Sequence, residues 1–280
     1  MLKAELHGKI ADDSSNATER SEDVLTSNVF GTLSYLPPAA ALLPWIARAT
    51  PLATHARPLL PSDVQDAALV FWPKLAEREA DLLLVLLLSG TVELVAIECK
   101  YHRGKSGRAR NPGNELAADD LDEEPLIACG DQLADYLTAL RAHNVRPRPY
   151  EPTKVRRVSL LYVTAHAAPP WGEFEESISQ FKRPDEVRDA FYWLSWRDLF
   201  TCLPAAEAGG SVAARIVSDL RDLLDRKGLR PFAGFRDPAP PLTVPPAHAA
   251  FWRGSLGSIF FRHLSPPSSI PTHATWWTPA

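Results

Sequence analysis

The sequence predicts an α/β fold, a central mixed β-sheet flanked by helices, with a Pro-rich extension after it. Two apolar runs, 82–88 and 92–100, stand back to back around Ser89-Gly90-Thr91 and read as a hairpin of strands buried on both faces. Stripes of apolar residues at helical spacing lie before and after that hairpin, and a further strand-like run follows. Beyond Asp237 the text changes to frequent proline with aromatic pairs at Phe251-Trp252 and Phe260-Phe261. The expected division is therefore a domain over 1–235 and an extension over 236–280 that wraps the body or a partner.

The first helix is expected over 21–33, with Leu25, Val29, Leu33 and Leu36 on one stripe and Pro37-Pro38 as its stop. Ser21 is its expected N-cap, and the acidic residues behind it suit the positive end of the helix dipole. Residues 42–79 are mixed, with a helix expected to end near Trp72-Pro73. After the hairpin, residues 101–124 form a polar loop, basic from His102 to Arg110 and acidic from Glu115 to Glu124. Pro125 opens a helix expected to reach His143, with Leu126, Cys129, Leu133, Leu137 and Leu140 at helical spacing. Strands follow at 157–164 and 191–195, then a brief helix from Trp196. A last helix spans 211–227 on Val212, Ile216, Leu220 and Leu223, stopped by Gly228 and Pro231.

Composition narrows the function classes. A hydrophobic share of 45% and a charged share of 23% fit a soluble globular chain and exclude global disorder. The net charge of −4 excludes a basic body that coats nucleic acid, so any such contact must be local. Three widely separated cysteines, Cys99, Cys129 and Cys202, provide no disulfide framework, and no CxxC or HxxxH pair provides a zinc site. The opening residues lack the apolar core of a signal peptide, and run 82–88 is too short to cross a bilayer. A cytoplasmic protein without a membrane partner is expected.

Chemistry concentrates at the hairpin. Residues two apart on a strand point the same way, so Glu98 and Lys100 project together while Ile97 and Cys99 face the other side. Antiparallel pairing across the turn brings Asp81, where the first strand begins, beside the end of the second. Two carboxylates and a strand carbonyl make a hard oxygen site for Mg²⁺ or Mn²⁺, with Asp81 and Glu98 as ligands. Lys100 would hold a water or offset developing charge, and the reaction implied is phosphodiester hydrolysis.

Ala80-Asp81 followed by Ile97-Glu98-Cys99-Lys100 resembles the signature of the PD-(D/E)XK nuclease superfamily, a carboxylate on one strand and Glu-x-Lys on the next. Ala80 stands where that pattern has proline. Gln132 and Tyr136 resemble the QxxxY helix of its RecB-like members. The resemblance implies a restriction-endonuclease-like core and a Mg²⁺-dependent nuclease, with DNA as the expected partner and a setting in restriction or phage defence. It also implies a carboxylate from the first helix: Glu22, in line with the apolar stripe, or Glu5 in the earlier AELHGKI segment. Gln132 would support the site. A homodimer or a defence-system protein is a further expected partner.

Each of these residues also has a plainer reading. Glu22 can be an ordinary acidic first-turn residue, Gln132 a surface residue, Tyr136 core with a polar tip, and Cys99 a small buried side chain rather than a nucleophile. His166, at a strand end, reads as structural. Gly104-Lys105-Ser106 is not a nucleotide loop, because Cys99 stands where the first glycine belongs. The competing function is a catalytically silent nuclease-like module that binds nucleic acid or a partner protein. An RNase or exonuclease on the same centre is a third reading.

Overall fold

A computed structural model of the chain describes residues 17–101, 130–204 and 211–232. Its centre is the hairpin: β5 (Leu82–Leu87) pairs antiparallel with β6 (Val92–Lys100), with Leu82 opposite Ile97. Gly90 closes the turn at φ 76°, a left-handed conformation that costs glycine little. Around the hairpin the strands β1 (Thr50–Pro51), β2 (Asp66–Phe71), β8 (Val155–Thr164) and β9 (Phe191–Ser195) complete a six-stranded sheet in the order β1-β9-β8-β6-β5-β2. β6, β8 and β9 run parallel, and the remaining pairs are antiparallel. A small second sheet joins β3 (Lys74–Leu75), β4 (Arg78–Glu79) and β7 (Val145–Arg146) in the order β4-β3-β7.

Helices cover both faces of the large sheet. One face packs against α1 (Ala17–Leu33), α2 (Leu42–Ile46), α6 (Trp196–Cys202) and α7 (Val212–Arg226). The other carries α3 (Gln132–Arg141) and α4 (Trp171–Ile178), and the short α5 (Pro184–Val187) follows α4 in the chain. Alternation along the central strands feeds both layers: Leu82, Leu84, Val95 and Ile97 enter the first core, Leu83, Val85, Leu94 and Ala96 the second. Each fully buried leucine contributes about 2 kcal/mol of transfer free energy, which explains why β5 carries almost nothing else.

Three elements depart from the sequence expectation. The segment expected to be a helix ending near Trp72-Pro73 is strand β2, paired residue for residue with β5 from Asp66–Leu87 to Phe71–Leu82. Its Ala67, Ala68 and Leu69 favour helix locally, but the open edge of β5 offers a full hydrogen-bond ladder, and tertiary pairing wins. Ser21 does not cap α1, which begins at Ala17 and so places Ser21 a turn inside. The helix expected to open at Pro125 begins at Gln132 in the described residues, where Asp131 caps it by accepting from the amides of Leu133 and Ala134 at 3.1 Å each. It ends at Arg141 rather than His143, which lies at φ 54°. Residues 125–129, the loop beyond Tyr101, Glu5 and the extension lie outside the described residues.

Candidate metal centre

The register of the hairpin sets the chemistry. Leu82 opposite Ile97 places Asp81 next to the end of β6, and its Oδ2 accepts the Cys99 amide at 2.7 Å. The Asp81 carbonyl accepts the Trp72 amide at 2.9 Å, so the backbone is fixed on both sides of that carboxylate. Glu98 and Lys100 project from β6 to the face that bears α3, and Lys100 Nζ lies 2.6 Å from Glu98 Oε1. The same ammonium reaches Glu22 Oε1 at 2.8 Å, and Glu22 Oε2 accepts the Tyr101 amide at 3.2 Å. Glu22 therefore turns inward from α1, as the stripe reading expects. Trp196, stacked on Trp45 at 5.4 Å, donates its indole N–H to the Lys100 carbonyl at 3.2 Å and pins the strand end from below.

Glu22, Asp81 and Glu98 each present a carboxylate oxygen, and these oxygens lie within 4.8 Å of one another. Three carboxylates share one ammonium, and Asp81, Glu98 and Lys100 are all buried. Burial and then the Glu98 charge push the Asp81 carboxyl well above the ordinary carboxylate range, against the Lys100 charge and the Cys99 amide. Burial raises Glu98 too, with Lys100 opposing. Burial alone would lower Lys100, but the charges of Glu98, Asp81 and Glu22 outweigh it and raise its pKa, so the ammonium persists. A like-charged cluster held this tightly is relieved by protonation or by added positive charge. The donor set is all oxygen and can hold a metal ion.

No protein-family model, curated protein or solved structure matches the chain.

Each site residue predicted from sequence is brought into one place. Gln132 opens α3 and donates through Nε2 to the Tyr136 hydroxyl at 2.8 Å. That hydroxyl has one hydrogen and two acceptors within reach, the Glu79 carbonyl at 2.6 Å and the Glu98 carboxylate. Burial, then the Glu98 charge, raises the Tyr136 pKa, so it remains a neutral donor. Tyr136 is core with a polar tip, as expected, and that tip lies among Gln132, β4 and Glu98. Its place four residues after Gln132 was the available signal. Arg78, paired with Asp135 at 2.7 Å, ties β4 to the same helix and has no sequence signature. Cys99 faces away, and burial pushes its thiol well up, which removes it as a nucleophile. Among the described residues no helix is long and apolar enough to cross a membrane.

Proposed function

We propose that the chain is a metal-dependent nuclease of the PD-(D/E)XK type with a restriction-endonuclease-like core, cutting phosphodiester bonds in DNA. One observation carries the reading: Glu22, Asp81 and Glu98 come within 4.8 Å around Lys100 in the order along the chain that the resemblance implies. The residues fit a hard divalent cation, Mg²⁺ or Mn²⁺, because the donors are carboxylates and Cys99, between Glu98 and Lys100, faces the opposite core. Such an ion, when bound, supplies Lewis acidity toward a phosphate oxygen and acidifies a water.

Asp81, just before β5 and held by the Cys99 amide, and Glu98, on β6 beside Tyr136, would hold the ion, with Glu22 from α1 as a third carboxylate. Lys100 stays charged, so it serves as a donor that orients a water or offsets negative charge growing on phosphate, and not as a base. Gln132 and Tyr136 keep the Glu98 carboxylate aimed at the shared space.

The test is cleavage of labelled single- and double-stranded DNA and RNA with Mn²⁺, by the wild type and by Asp81→Ala and Lys100→Ala. Each substitution is expected to lower the rate by about 10²–10³-fold. Activity that survives both substitutions sinks the assignment, and cleavage confined to RNA replaces DNA as the substrate.

A further inference from the structure

Beside the carboxylates the same end of the sheet carries positive charge that is little offset by acids among the described residues. Tyr101 follows Lys100 and packs on the opposite face, where its hydroxyl donates to the Lys227 carbonyl. The Lys227 ammonium stands 5.5 Å from the Tyr101 ring centroid. Arg197, in the first turn of α6, donates to the carbonyls of Ala165 at 3.3 Å and Arg230 at 3.4 Å. Its charge also acts on the Tyr101 hydroxyl, which places it on the same side. Arg230 lies 5.7 Å over the Phe200 ring, and its one carboxylate contact among the described residues is a long, exposed one to Asp225 at 3.8 Å. Among the described residues Lys227 and Arg197 form no ion pair with a carboxylate. In a chain of net charge −4, this is a local basic rim.

His166 extends the rim from the end of β8. Thr164 faces Lys100 across the parallel register, and its buried Oγ1 receives the Trp193 indole N–H at 2.9 Å and the His166 amide at 3.3 Å. Both groups can only donate, so the single hydroxyl hydrogen of Thr164 is left for His166 Nδ1, 3.1 Å away. That places a donor on Nε2 of an exposed ring, one residue beyond Ala165, whose carbonyl Arg197 holds.

We infer that Lys227, Arg230, Arg197 and His166 form a track for one phosphodiester strand leading to the Glu22, Asp81 and Glu98 cluster. The track rests on the nuclease reading only for what happens at its end. Ammonium and guanidinium groups are the natural partners of phosphate, and a guanidinium fork matches two phosphate oxygens at once. The faces of Tyr101 and Phe200 nearest the rim are occupied by Lys227 and by Arg221 and Arg230, so the rings do not serve as stacking platforms for bases. Contacts run to the backbone, and binding is expected to be independent of sequence.

The experiment is fluorescence anisotropy of labelled DNA and RNA strands of one sequence on the full chain with Ca²⁺, over a series of salt concentrations, with strand length checked on a gel. Lys227→Ala and Arg230→Ala should each weaken binding about tenfold and each reduce the slope of log affinity against log salt by about one. His166→Ala should weaken binding a few-fold, the loss of one hydrogen-bond donor to the strand. Arg183→Ala, on the exposed Arg183–Glu186 pair, should change neither. Arg197 is left in place, since its bonds hold two backbone carbonyls. A double Lys227→Ala, Arg230→Ala protein that melts like the wild type and keeps its affinity and slope overturns the track, as does a strand that never binds or that polyglutamate displaces as well as unlabelled DNA does. Slope loss without Mn²⁺ cleavage supports the track while ending the nuclease reading; cleavage with an unchanged slope does the reverse.

Discussion

Strand β6 buries two glutamates, one near each end, and the molecule treats them in opposite ways. Glu93 meets two guanidiniums: Arg156 Nε at 2.8 Å and Arg157 Nη2 at 2.6 Å. Asp63 completes that group by pairing with Arg156 at 3.0 Å, and Arg157 also donates to the carbonyls of Pro58 and Leu59. Two acids face two bases, and the donors there are spent on neighbours. Glu98 instead shares one ammonium with Glu22 and Asp81. Charge balance, rather than burial, separates the two clusters: a balanced pair gains nothing from an added ion, whereas the group around Glu98 can hold one.

The strongest way to break this contrast is to neutralise the unbalanced end. Asp81→Asn keeps an oxygen for the Cys99 amide but removes a charge that burial disfavours. Mn²⁺ affinity by calorimetry should fall at least about 100-fold, the scale on which metal sites respond even to changes in their supporting groups. The metal-free protein should gain about 1 kcal/mol in denaturant unfolding, as when function is traded for stability. A variant that loses stability instead would show that the acidic cluster is as satisfied as the one around Glu93.

Stripping the balanced end should do the opposite. Arg157→Met leaves Glu93 short of a buried partner and is expected to cost about 2 kcal/mol by urea titration, with Mn²⁺ affinity unchanged. A gentler probe is pH. Folding raises the pKa of Asp81 and Glu98, so each stabilises the fold as the protonated acid. That contribution is complete below the ordinary carboxylate range, about pH 4, and is lost as pH climbs through the raised values. Lys100, raised above its usual range, contributes constant stability over the same window. Without metal, stability should therefore decline as pH rises above about 4 more steeply in the wild type than in Asp81→Asn, while Mn²⁺ affinity climbs and binding releases protons. Equal slopes in the two proteins would remove the basis for calling the cluster unbalanced. The smallest effect is expected from Tyr136→Phe, a loss of several-fold in cleavage rate with Glu98 still in place.

The two ends of β6 also differ in how much the sequence discloses. Glu98 with Lys100 two residues on, and Asp81 one residue before the facing strand, follow from strand alternation and hairpin register, both local rules. Glu22 was legible as an acid on an apolar stripe. Glu93 gave no such signal, because its partners come from β8 through a parallel crossover that no local pattern encodes. Strand β2 was hidden for a related reason: it is an edge strand of mixed burial, alanine-rich, whose conformation is imposed by β5. The turn at Trp72, in the left-handed region at φ 47°, likewise follows from the strand's end and not from its residue type. Tyr136 carried the right spacing, but its bond to the Glu79 carbonyl depends on where β4 packs.

Cys99 gives the centre a clock. Its amide is fastened to Asp81, its thiol is sealed in the opposite core, and β5 and β8 flank its strand on either side. A thiol reagent reaches it only when the end of β6 lifts out of the sheet, which is the same event that scatters Glu98, Lys100 and the contact with Asp81. The rate of labelling at that one sulfur therefore counts how often the constellation comes apart, and an ion that bridges the strands would slow the count in proportion to its hold.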